Sequence, residues 1–188
     1  MLEGRLRMNR LAVVTCSLII SVLALAVPGT APADDDHVAR KYVATLTGFE
    51  ETPLAILSEG KGTLQLTLDK QLLSATYTIT FSGLGSPVTQ SHIHFGKRHV
   101  TGGIFVFFCT NLGNGPAGTQ ACPAGGGTVT GTITAANIIG LPAQGTPAGD
   151  FDVLVDALES NTAYANVHSN NFPSGEIRGQ VHKFRGDD

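Results

Sequence analysis

His92 and His94 stand two residues apart, with apolar Ile93 and Phe95 as neighbours. In an extended strand, positions i and i+2 share a face, so both imidazoles point one way and Ile93 and Phe95 the other. The same alternation recurs twice. Tyr164, Asn166 and His168 share a face opposite Ala163, Ala165 and Val167. Glu176, Arg178, Gln180 and His182 share a face opposite Ile177, Gly179 and Val181. Convergence of these faces would gather His92, His94 and His168, with Asn166, Glu176 and Arg178 as a supporting polar cluster. Two chemistries fit. Neutral imidazole suits copper and zinc, and three His with an open position make a catalytic-type metal site. Alternatively, the side chains satisfy one another and nearby carbonyls as a structural network. The H-x-H spacing alone does not decide between them.

Little else in the chain looks reactive. There is no G-x-S-x-G, no P-loop and no Rossmann glycine pattern. Glu50 and Glu51 are adjacent, so an extended segment sends them to opposite sides. They read as solvated loop carboxylates rather than an acid/base pair. His99, beside Lys97 and Arg98, and His37, in an acidic stretch, read as exposed. The balance leans away from an enzyme, and a hydrolase is disfavoured.

The elements that must position these residues are strands. The chain holds 23 Gly and no Trp, with charged residues at 14%. Short alternating runs are separated by Gly, Pro and Asn clusters, which predicts a mostly β domain, an antiparallel sandwich or a Greek-key-like barrel. Strands are expected at 41–47, 62–69, 73–81, 91–95, 103–109, 128–134, 163–168 and 175–183. Leu64, Leu66 and Leu68 face one way and Thr63, Gln65 and Thr67 the other. The turn at Asp69-Lys70-Gln71 returns the chain into Leu73, Ala75, Tyr77, Ile79 and Phe81 on one face, completing a hairpin. The stretch 135–149 reads as a loop with room for one helical turn. Over 150–160 the period changes: Phe151, Leu154, Val155 and Leu158 follow helical spacing, with Asp150 placed as N-cap. One short helix is therefore expected near the C-terminal third.

The amino terminus sets an expected address. Arg5, Arg7 and Arg10 precede an apolar run from Leu11 to Val27, and Ala31-Pro32-Ala33 is an A-x-A pattern. That order predicts a cleavable signal peptide over 1–33, with the cut before Asp34. The alternative is a retained N-terminal anchor, which would make the domain a membrane-tethered surface module. Beyond residue 33 no apolar run has membrane length, so the mature chain is expected to carry no span. Residues 34–40 and 184–188 read as flexible ends around a domain at 41–183. Removing 1–33 takes away three Arg and one Glu, leaving nine basic against fourteen acidic side chains, a net charge of about −5. A mildly acidic chain without a basic stripe argues against nucleic acid as a partner. Cys109 and Cys122 remain, and an even count in an exported chain predicts a disulfide. The expected location is secreted or periplasmic, and the expected partner an extracellular or envelope ligand whose identity no motif specifies.

Five ordered motifs carry a family resemblance: Gly48-Phe49-Glu50-Glu51-Thr52-Pro53, Gly60 to Gly62, Ser91-His92-Ile93-His94-Phe95-Gly96, Tyr164-Ala165-Asn166-Val167-His168-Ser169, and Pro173 through Gln180 with Gly175-Glu176-Ile177-Arg178-Gly179-Gln180 at its centre. Together they resemble the CHRD (chordin-type) domain, which also occurs alone in bacterial exported proteins. The resemblance covers about 41–182. It implies a β-sandwich-like domain and no assigned activity, so the expectation is a non-catalytic binding or structural module. Where the family often has Gly-Pro after H-I-H, this chain has Phe95-Gly96. That change makes residues 92–96 resemble the copper-ligand strand of copper/zinc superoxide dismutase. The likeness spans five residues, and that enzyme's bridging His and zinc-site Asp have no counterpart placed here. It leaves a copper- or zinc-binding protein as the alternative function.

Overall fold

The computed structural model describes residues 39–186. The expected signal segment and His37 lie outside the described residues. Among the described residues, nine strands run β1 Arg40–Thr47, β2 Lys61–Asp69, β3 Ser74–Ser82, β4 Val88–Phe95, β5 Gly103–Thr110, β6 Gly127–Ile133, β7 Ala163–Ser169, β8 Ile177–Gln180 and β9 His182–Lys183. One α-helix, α1 Phe151–Glu159, precedes β7. Every pairing is antiparallel. The order is β5-β4-β7-β8-β1-β2-β3-β6, with β9 also on β1. The end strands β5 and β6 meet, so a single sheet nearly closes into a barrel. Of the two expected architectures, this is the barrel.

The predicted hairpin forms in the register its alternation requires. Leu64 pairs with Ile79, Leu66 with Tyr77 and Leu68 with Ala75. Their side chains are buried while Thr63, Gln65, Thr76 and Thr78 face out. Leu73 departs from expectation. It lies in the turn at φ 43° and is 53% exposed, because the strand starts one residue later. Asp69 Oδ1 holds that turn by accepting from the backbone N–H of Gln71 and Leu72. The loop at 135–149 contains two 3-10 turns, Ala135–Asn137 and Pro142–Gln144. Asp150 caps α1 by accepting from the Asp152 N–H at 3.1 Å. Phe151, Leu154, Val155, Ala157 and Leu158 of the helix join the same core as Leu64, Ile79, Ile93 and Val167.

Cys109 in β5 and Cys122 are disulfide-bonded. The bridge fastens the loop before β6 onto β5, and Asn111 ties the same point through Val88, donating to its carbonyl, and through both backbone groups of Cys122.

The predicted last strand is broken. Glu176 precedes β8, and Val181 interrupts the ladder before β9. The break separates the polar face: Glu176 and Arg178 are buried, whereas His182 is exposed on β9.

Candidate metal centre

Strands β4, β7 and β8 are adjacent, which brings the three polar faces side by side. His92 pairs with Asn166, and Asn166 in turn with Arg178. His94 pairs with Tyr164, and Gln90 with His168. Strand β7 is buried along its whole length, so its polar face is covered as fully as its apolar one. Two loops supply the cover. Glu51 and Thr52 reach in from the segment after β1, and Lys97, Val100 and Gly102 from the β4–β5 connection.

Under this cover, one ring nitrogen from each of His92, His94 and His168 lies within 4.8 Å of the other two. His92 is fully buried, and His94 and His168 are 8% and 6% exposed. Nδ1 of His94 sits 2.8 Å from the Gly102 carbonyl, and Nδ1 of His168 sits 2.9 Å from the Pro173 carbonyl. A carbonyl only accepts, so each Nδ1 carries the proton and each neutral ring keeps its lone pair on Nε2. Neither Nε2 has a hydrogen-bond partner, and neither nitrogen of His92 has one.

Burial is the main cause that lowers the pKa of all three rings, because it penalises the charged form. For His92, the neighbouring His168 and His94 push further the same way. His94 falls to about 4; the Gly102 hydrogen bond resists the drop, while His168 and Arg178 add to it. His168 is lowered against the opposing Pro173 hydrogen bond. The rings are therefore neutral at physiological pH, the protonation state a metal requires.

Aromatic rings wall the cluster. The Tyr164 ring stacks on His94 at 4.5 Å with planes 5° apart, and Phe107 meets His92 edge-on at 5.1 Å. Tyr164 Oη also accepts from the Gly102 N–H, so Gly102 holds both stacked rings. The guanidinium of Arg178 lies 3.4 Å over the Tyr164 ring. Arg178 donates to Thr52 Oγ1 and to the carbonyls of Lys97 and Val100, which ties the two covering loops together.

The expected supporting residues take separate parts. Asn166 donates to Glu51 Oε1 at 2.6 Å. Glu176, fully buried, accepts from Ser58 Oγ, the Gly85 N–H and Ser169 Oγ, and so anchors the strand end beside His168. Glu51 corrects the sequence reading. Expected in solvent, it is 7% exposed, because its loop folds back over β7. Burial raises its carboxyl to about 7, countered by Arg178, the Thr52 backbone and Asn166. Glu50 is half-buried and pairs with Arg98 at 2.8 Å, and His99 is exposed as expected. Tyr164, Gly102 and Phe107 did not stand out as site residues. The one available signal was the place of Tyr164 on the face of Asn166 and His168.

Two glycines make this packing possible. A Cβ on Gly175, at φ 129°, would lie 2.7 Å from Asn166 Nδ2 and both Glu51 carboxylate oxygens. A Cβ on Gly179 would lie 2.3 Å from the Thr45 carbonyl, where β8 meets β1.

The fold and site define a small, nearly closed antiparallel barrel with a buried three-histidine cluster under two loops. A family model for the CHRD domain matches residues 42–181, and the chain belongs to that family. No curated protein matches the chain. Among the described residues, no helix is long and apolar enough to cross a membrane.

Proposed function

We propose that this chain is an exported, non-catalytic CHRD module whose ligand is a transition-metal ion of the copper or zinc type, held by His92, His94 and His168. One observation carries the reading: buried imidazole nitrogens are left without partners while the opposite nitrogens of two of the rings are locked by carbonyls. A structural network predicts the reverse, since buried polar groups in such networks are hydrogen-bonded. Fixing a ligand ring through its second nitrogen is how proteins orient metal-binding His. The proposed address rests on the signal pattern at 1–33 and agrees with the Cys109–Cys122 bridge.

The test is the copper and zinc content of protein purified from its native compartment, beside a His92→Ala/His94→Ala control. The reading expects about one metal per chain in the native protein and loss of it in the control. Equal metal content in both would overturn the site.

A further inference from the structure

We propose that the resident ion is monovalent copper, Cu(I), in preference to Zn(II) or Cu(II). This rests on the three-histidine reading above and names its ligand.

Charge is the first argument. The cluster consists of three imidazoles, and among the described residues no carboxylate or cysteine joins it. A loaded site therefore carries the full charge of its ion. The rings are buried, and their neighbours are Tyr164 and Phe107. The cost of moving an ion from water into a medium of low dielectric rises with the square of its charge, so a divalent ion pays about four times what a monovalent one does. Nearby fixed charge worsens the balance. The cation of Arg178 lies over the Tyr164 ring that stacks on His94. The Glu51 carboxyl is engaged by Asn166, and burial opposes its ionisation near neutral pH.

Coordination is the second argument. Zn(II) in proteins is four-coordinate and Cu(II) prefers tetragonal surroundings. Cu(I), with a filled d shell, is satisfied by three ligands in a plane. Three buried imidazoles walled by Tyr164 and Phe107 answer that demand without a fourth protein donor. The opposing pull is the strong intrinsic preference of nitrogen sites for Cu(II) among divalent ions, so the test includes that ion.

Anaerobic titration of the exported chain with Cu(I), in competition with bathocuproine disulfonate, gives the first affinity. Calorimetric titrations with Zn(II) and Cu(II) give the others. The expected result is one Cu(I) per chain, bound on the order of a thousandfold tighter than Zn(II) and tighter than Cu(II). His92→Leu is expected to lose the Cu(I) site. Zn(II) or Cu(II) binding as tight as Cu(I) would overturn the choice of ion and leave the three-histidine site standing. Failure of all three ions to bind would overturn both.

Discussion

The sheet has two halves that solve burial differently. In β1, β2, β3 and β6, one face is apolar and packed and the other faces water, as Leu66 and Tyr77 against Gln65 and Thr78 show. In β4, β7 and β8 both faces are covered, and His92, Asn166, His168, Glu176 and Arg178 are all buried. A buried polar group requires a partner. Glu176 and Arg178 have several partners each, and Asn166 donates to Glu51. Four imidazole nitrogens lack such partners, as do the amide oxygens of Asn166 and Gln180, and only the imidazole nitrogens gather at one point. The polar half is thus two things at once: a frame of hydrogen-bonded side chains, and a cluster of imidazoles held within it.

The frame gives the largest expected effect. Glu176→Ala removes the acceptor of three hydrogen bonds, stranding the buried donor of Ser169 and freeing the part-buried donors of Ser58 and Gly85. The expected loss is about 3–5 kcal/mol by denaturant unfolding. Thr78→Ala, on the exposed face of the apolar half, is expected to change stability by less than about 0.5 kcal/mol. Equal effects from the two substitutions would erase the distinction between the halves.

Acid tests the cluster itself. The folded protein holds its imidazoles below their ordinary pKa, so the unfolded chain takes up protons first as pH falls. Stability of the metal-free domain is therefore lost as pH drops from about 6.5 toward 4, by about 3 kcal/mol for His94 alone. His92 and His168 act in the same direction. Glu51 acts in the other. Its carboxyl is raised to about 7, so the penalty for burying it ionised is relieved as pH falls from 7 toward its ordinary value of 4.5. Three rings outweigh one carboxyl, and the expected net result is acid destabilisation, steeper in Glu51→Gln. Unfolding free energies measured from pH 7.5 to 4 check this; a flat profile in both proteins would contradict it.

Much of this division was legible from alternation. The hairpin, α1 with its Asp150 cap, and the shared face of His92 and His94 follow from local periods of two and 3.6 residues. Pairing partners are set by non-local contacts, so alternation left sandwich and barrel equally open. The burial of Glu51 is not legible because loop residues have no period and it depends on a return over β7 that only the folded chain reveals. Gly102 escaped for a related reason: its role is a backbone N–H and carbonyl, which side-chain type does not announce.

Whether the imidazoles serve binding rather than stability is decided by His92→Leu in metal-free unfolding. Replacing an unpartnered buried ring by an apolar side chain is expected to leave the metal-free domain within about 1 kcal/mol of wild type, or more stable. Added Cu(I) is then expected to raise the unfolding free energy of wild type and not that of the variant. A loss of about 3 kcal/mol in the metal-free variant, with wild type indifferent to Cu(I), would make the cluster a structural network and contradict the account.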